Sequence, residues 1–300
     1  MRTTDGGHTW HGIPAPAEEL SAYGNPGQPG LVGIRFADGS NGWAWGDKIW
    51  ATRDGGARWS ASASQPAGVV TALEPTGGYV YVLTTAASSS PSATLFRAPV
   101  AGGPWTTVET ISDAGPSPRL VVHGARLWVL TSGATSNLLR SPDGGSTWVH
   151  AASPCPADGI SSGLAAGPDG AYVVLGCTSN GGMGSTTKQL FVSTDGGATF
   201  RSATGQPPRG GDNTDLAVAS SGNVVLASAS AASWLYGSFD GGATWTTVLQ
   251  TNTGGQPWRD LGFTTQTQGV VVEGVAAMAD QQSRLWMTTD GGHHWSAVSF

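Results

Sequence analysis

Residues 31–63 show how apolar and polar positions are ordered along the chain. "LVGIRFAD" (31–38) alternates apolar with other residues, the period of a strand that buries one face more than the other. "GSN" breaks the run. "GWAWG" (42–46) then reads as a short aromatic strand in which Trp43 and Trp45 share a face, because side chains alternate with period two. "KIWATRD" makes a third strand, a glycine-rich turn reverses the chain, and "ARWSASA" makes a fourth. The same four-beat pattern recurs over Val69–Thr110, Pro118–Ala152, Gly163–Thr204, Asn213–Gln250 and Trp258–Phe300. No segment carries a 3.6-residue apolar period, so the pattern predicts an all-β chain of repeated four-stranded antiparallel units.

The turn between the third and fourth strands is spelled almost identically each time. "TTDGGHTW" (Thr3–Trp10) is followed by "TRDGGARW" (Thr52–Trp59), "SPDGGSTW" (Ser141–Trp148), "STDGGATF" (Ser193–Phe200), "SFDGGATW" (Ser238–Trp245) and "TTDGGHHW" (Thr288–Trp295). A worn copy, "RAPVAGGPW" (Arg97–Trp105), places Val100 where the Asp should be. The closing aromatics are 49, 46, 43, 52, 45 and 50 residues apart, the spacing of four-stranded propeller blades. An Asp carboxylate can accept backbone N–H bonds a residue or two on, the glycines permit positive φ, and the aromatic packs between sheets. Asp5, Asp54, Asp143, Asp195, Asp240 and Asp290 are therefore expected to be structural. The expected fold is a β-propeller over residues 1–300, of the seven-bladed type with an incomplete, N-terminally truncated first blade. A six-bladed ring, leaving Met1–Ile13 surplus, is the alternative.

Composition narrows the function. The chain has 300 residues, 46 Gly, 18 Pro and 13 Trp, with 11% charged residues and a net charge of −6. Fourteen Lys+Arg spread over the whole chain make no basic stripe, which argues against nucleic acid. No apolar run approaches membrane-spanning length. Two Lys and abundant Ser, Thr and Gly predict an extracellular or cell-surface protein, although no apolar leader precedes the first octet in this sequence. The expected state is a monomer.

The octet pattern Ser/Thr-x-Asp-Gly-Gly-x-Thr-Trp resembles the Asp-box, or BNR repeat, and the resemblance covers essentially the whole chain. Bacterial sialidases, the seven-bladed photosystem II assembly-factor family, sortilin-type receptors and xyloglucan-type glycosidases share that repeat. "NGWAWGDKIWATRDGGARW" (Asn41–Trp59) is most similar to the assembly-factor-like and bacterial sialidase-like propellers. The resemblance implies a blade architecture and leaves activity open, because these families share the blade and differ in their sites.

In such a ring the octet turns and the short turns between strands one and two share one face. The opposite face carries the long segments Gly12–Gly30, Ser153–Ser162, Ser179–Thr187, Gly205–Asn213 and Thr251–Asp260, where binding residues gather. Arg119, Arg209, Asp212, Asp215, Arg259 and Asp260 stand near the starts of innermost strands and are expected to ring the channel mouth. Arginine's planar fork suits carboxylates and sugar hydroxyls. Trp258 is a candidate stacking platform, with packing between blades as the other reading.

The sialidase resemblance implies an arginine cluster, an Asp acid/base, a Tyr activated by Glu, and an Arg-Ile-Pro string. Here the nearest string is Ile34-Arg35-Phe36. Tyr79, Tyr81 and Tyr172 read as second-strand residues and Tyr236 as third-strand, leaving Tyr23 alone in a long loop. A two-carboxylate glycosidase drawing on Asp212, Asp215 and Asp260 is a minority reading. His8 and His293 occupy a variable octet slot, and neither His8/His11 nor His293/His294 has the company of a metal site. Neither a metal nor a cofactor is expected. Cys155 and Cys177, the only cysteines, should lie side by side on the loop-rich face and form a disulfide. The leading expectation is a non-catalytic propeller that binds a protein or glycan through that face. A sialidase-like exo-glycosidase is the alternative, and an assembly-factor scaffold a weaker one.

Overall fold

Each run of alternating residues becomes a strand, and consecutive strands pair into one sheet before the chain moves to the next. The structure is a computed structural model that describes every residue except 22–25, 28, 87–91, 116, 133–136, 157–158, 183, 253–255, 275–282 and 300. Among the described residues are six antiparallel sheets of four strands, spanning residues 33–61, 69–111, 119–152, 160–202, 212–251 and 258–297, here called sheets 1 to 6. No helix occurs among the described residues. The innermost strands are Gly33–Phe36, Val69–Thr76, Arg119–His123, Ile160–Ala166, Asp212–Ser220 and Trp258–Phe263. Successive inner strands from sheet 1 to sheet 6 lie against one another around an axis. The fold is a β-propeller.

A sheet in such a ring is covered on both faces, so its second strand loses the alternation. Trp43, Ala44 and Trp45 are all buried, as are Leu127, Trp128, Val129 and Leu130. Apolar clusters join sheet 1 to 2, 2 to 3, 3 to 4, 4 to 5 and 5 to 6. Leu216, Val218 and Leu226, for example, pack on Val174, Leu190 and Val192. Burying such side chains contributes about 1.5–3 kcal/mol each.

The junction of sheets 6 and 1 is built differently. Arg2 and His11 pair as one antiparallel bridge around the first octet. Gln268 of sheet 6 donates its Nε2 to Gly6 O at 2.9 Å, while Arg2 Nη1 donates to Gly55 O of sheet 1 at 3.3 Å. Trp59 Nε1 donates to Pro14 O at 3.2 Å. The blade count is therefore the six-bladed alternative. The segment surplus to it spans the junction instead of forming a four-stranded seventh sheet.

The recurring corners are more connected than local turn chemistry alone requires. In each of the six Asp-containing octets the opening Ser/Thr hydroxyl donates to the Asp, over 2.7–3.0 Å. The same hydroxyl accepts the N–H of the second glycine, over 2.8–3.0 Å. The Asp then accepts a backbone N–H four residues on, as Thr199 N to Asp195 Oδ1 at 2.9 Å, a longer reach than the residue or two expected. At Thr9, Thr147, Thr199 and Thr244 the hydroxyl caps the second carboxylate oxygen, and His294 Nδ1 does so at 2.6 Å. Both glycines of these corners have φ between 70° and 97°, where a side chain is strained. Six of the seven closing aromatics are half-buried, Trp295 alone being buried, so each contributes less than a fully enclosed indole.

The corners also lock to their own sheets. The first glycine N–H, or Val100 N–H in the worn copy, donates to the turn between strands one and two: Gly55 to Ser40, Val100 to Gly78, Gly144 to Ala125, Gly196 to Ala171, Gly241 to Gly222 and Gly291 to Thr267. These two sets of turns therefore share one face. The described residues of the links between sheets, and the ends of strands two and three that lead into their loops, lie on the other.

Two tests follow from the corners. Ser238 is fully buried and serves both Asp240 and Gly242. Its replacement by Ala strands the glycine N–H, so urea unfolding of Ser238→Ala should show a loss of about 1–3 kcal/mol. The Thr244 hydroxyl, with backbone N–H bonds, draws the Asp240 carboxyl down to about 2. A carboxyl lowered by folding stabilises fully above its unfolded value of about 3.9, and that contribution is lost as pH falls toward the folded value. The urea midpoint should thus fall between pH 4 and pH 2, and Asp240→Asn should flatten this limb. An identical limb in the two proteins would contradict the assignment.

Candidate functional site

The six inner strands enclose a channel of about 1160 Å³. Arg119, Asp215, Trp258, Arg259 and Asp260 line it, together with Arg35 and Glu74. Arg209 and Asp212 do not. They sit exposed on the link between sheets 4 and 5 and at the very start of the inner strand it leads into. Trp258 is 2% exposed, and its Nε1 donates to Ser228 O at 3.2 Å. It packs between sheets 5 and 6 and offers no face for stacking a ligand.

One polar chain crosses four inner strands. Asp215 Oδ1 accepts the N–H of Leu216 and Oδ2 that of Leu261, each at 2.9 Å. The second bond crosses to sheet 6, where the register shifts between Arg259 and Gly262. Within that irregularity Asp260 has φ +53°, the left-handed region that Asp tolerates better than most residues. Its carboxylate accepts Arg35 Nη1 at 3.0 Å, and Arg35 Nε reaches Glu74 Oε1 of sheet 2 at 3.1 Å. The guanidinium also lies 5.7 Å from the centroid of the Trp45 ring.

The electrostatics follow from enclosure and partners. Desolvation in the channel pushes the Glu74 and Asp215 carboxyls above their ordinary values, against the pull of Arg35 on the first and Arg119 on the second. Desolvation opposes the charge on Arg35, but Glu74 and Asp260 outweigh it and raise its pKa. Three carboxylates and three guanidinium groups therefore share one lumen, with Glu74 and Asp260 tied to one arginine.

Sequence patterning singled out Arg119, Asp215, Arg259 and Asp260 but missed Arg35 and Glu74. The available signal was a charge inside an innermost strand, "GIRF" and "VVTALEPT". Alternation cannot say which strand face meets an axis until the ring exists.

The tyrosines are placed elsewhere. Tyr81 and Tyr236 are buried and donate to Gly144 O and Gly210 O, each at 3.3 Å. Tyr172 is buried, and Tyr79 lies outside the channel under Arg97. Tyr23 is outside the described residues. Among the described channel-lining residues no tyrosine stands beside a glutamate. The channel carboxylates are engaged with arginine or backbone N–H groups, an arrangement suited to charge-matched binding. His293 stacks on Phe239 with centroids 3.6 Å apart, and no cluster of three metal-binding side chains occurs among the described residues.

On the loop-rich face Cys155, in the link before sheet 4, and Cys177, in its second strand Val173–Gly182, are joined as a disulfide with Cα atoms 5.6 Å apart. Closing a loop of this size contributes about 3 kcal/mol in the chain-entropy model.

The sequence matches no protein-family model and no curated protein. Solved structures do match in fold. One titled "Oligogalacturonate lyase in complex with manganese" superposes with a TM-score of 0.63 at 11% identity, covering 89% of this chain and 77% of that one. YCF48 from Cyanidioschyzon merolae gives 0.61 at 13%, covering 95% and 86%. "YCF48 bound to D1 peptide" gives 0.60 at 14%, with the same coverage. At these identities the likeness establishes a shared propeller fold.

The Arg35 tie gives a pH-dependent prediction. In Arg35→Met, Glu74 and Asp260 face one another without a cation, and stability at pH 7 should fall by about 1–3 kcal/mol. Losing the arginine raises the folded-state pKa of Glu74 further above its unfolded value. The deficit should therefore be full at neutral pH and shrink as pH falls toward 4 and Glu74 takes up a proton. Thermal unfolding at pH 7 and pH 4 checks this. A deficit independent of pH would show that packing, and not charge, is lost.

Proposed function

We propose that this chain is a non-catalytic Asp-box propeller that binds a segment of a partner protein over its loop-rich face, anchored at the mouth of the axial channel. The observation that carries the reading is the channel itself: an open lumen with charges of both signs whose carboxylates are already paired or hydrogen-bonded. Such a lumen offers a peptide complementary contacts, and its carboxylates are committed to arginine or backbone N–H partners. That a YCF48 of the same fold has been solved with a D1 peptide supports a peptide as the ligand class. The six hydroxyl–carboxylate corners support the Asp-box reading. The disulfide supports an extracellular or cell-surface setting, in which the protein acts as a monomer.

The test is a selection from a randomised peptide library, run beside a panel of aryl glycosides and a fluorogenic sialoside. Selected peptides should bind the wild-type protein and weaken about tenfold or more on Arg119→Glu, the size expected when one charge contact is reversed. Turnover of any glycoside, or peptides indifferent to Arg119 and Arg259 substitutions, would overturn the proposal.

A further inference from the structure

Only two lysines occur in this chain, and one of them is buried. Lys188, in the third strand of sheet 4 (Ser185–Ser193), is 2% exposed. Its Nζ donates to four successive backbone carbonyls of the link to sheet 5: Pro208 at 3.1 Å, Arg209 at 3.0 Å, Gly210 at 3.0 Å and Gly211 at 2.7 Å. Thr186 O lies at 3.5 Å. The ammonium has three protons, so these carbonyls share them and surround the nitrogen as they would a bound cation. Asp212 and Arg209 are the charged groups that act on it, in opposite directions. Burial draws its pKa down to about 8, which leaves it charged at neutral pH.

The link is held at its ends by Gly205 N–H to Gly242 O, by Gln206 Oε1 accepting the Leu190 N–H and by the bridge of Gly211 to Ser185, and between them it needs such a centre. Pro207 and Pro208 have no N–H to donate, so the segment cannot tie itself down with a backbone ladder there. Four carbonyls turned toward one point would repel one another without a positive charge between them. Gly211, at φ +71°, supplies the bend that lets the last of them turn in. Gly210 O is also held by Ser228 Oγ at 3.0 Å and Tyr236 Oη at 3.3 Å. The cage is thus shared between sheets 4 and 5.

We infer that Lys188 is a positioning residue, an internal cation that fixes the 205–212 link and with it the exposed Arg209 and Asp212 on the loop-rich face. Its effect on ligand binding rests on the peptide-binding reading above. Its effect on the link does not.

The experiment has a wild-type arm and a variant arm. In native protein, reductive methylation should mark Lys48, which is exposed, and leave Lys188 unmodified until unfolding. Equal reaction at the two would overturn the inference without any variant. Lys188→Met keeps length and volume but removes the charge. Hydrogen exchange across 205–212 should quicken about tenfold or more while the strands of sheets 1 to 3 keep their protection. In Lys188→Gly an alkylammonium salt should restore that protection and should have no effect on the wild type. Unchanged exchange in Lys188→Met would overturn the cage as the cause of order. Library-selected peptides should weaken on Lys188→Met and on Arg209→Ala alike. If exchange responds but no peptide binds the wild type, the functional reading fails and the cage stands. If peptides bind and exchange does not respond, the cage fails alone.

Discussion

Five of the six blades, and the segment that spans the closing junction, turn on a hydroxyl placed between a carboxylate and an amide. A Ser or Thr at the head of each complete octet gives its proton to the Asp and takes one from the second glycine. This fixes a corner whose two glycines occupy a region in which most other residues are strained. In these blades that corner returns the outermost strand beside the third and presents its aromatic to the preceding blade. Sheet 2 shows how much of this is redundant. With Val100 in place of the Asp, its corner keeps only the bond from Val100 N to Gly78 O and a Gly102 N to Pro99 O turn. The ladder from Arg97↔Thr106 to Ala93↔Ile111 and apolar packing against its neighbours then hold the outer strand.

Enclosure by the ring turns a few ordinary strand residues into a polar lumen. Asp215 steadies the irregular stretch of sheet 6, the irregularity aims Asp260, and Asp260 meets Arg35 on the far side of the junction. The same network that closes the ring on its inner side thus furnishes the charges a ligand would meet. On the proposed reading stability and recognition draw on one set of side chains, and Glu74 and Asp215 carry a desolvation cost that apolar residues would avoid.

Much of this was legible in the sequence. Spacing of the closing aromatics and the period-two runs gave blades, faces and the direction of the chain. The bunching of Arg119, Asp215, Arg259 and Asp260 followed from their places at or near the start of inner strands. Arg35 and Glu74 escaped because a charge within a strand is silent until closure decides which face meets the axis. Arg209 and Asp212 were placed at the mouth from chain position alone. Lys188, a residue of another strand, holds their link by carbonyl groups that every sequence possesses. Backbone acceptors carry no side-chain signature, so a contact of this kind leaves no mark in composition or periodicity. The blade count was ambiguous for a related reason. One octet looks like any other, whether or not two inner strands accompany it.

Each sheet is made of four strands consecutive in the chain, and among the described residues no sheet borrows a strand from a distant part of it. Every blade can therefore finish its hydrogen-bonded ladder soon after it is synthesised, waiting only for the next blade to cover its exposed face. Closure between sheets 6 and 1 relies on side chains and a single bridged segment instead of a shared ladder. The molecule should thus assemble as a growing stack that is sealed last and, when stressed, part first along that seam.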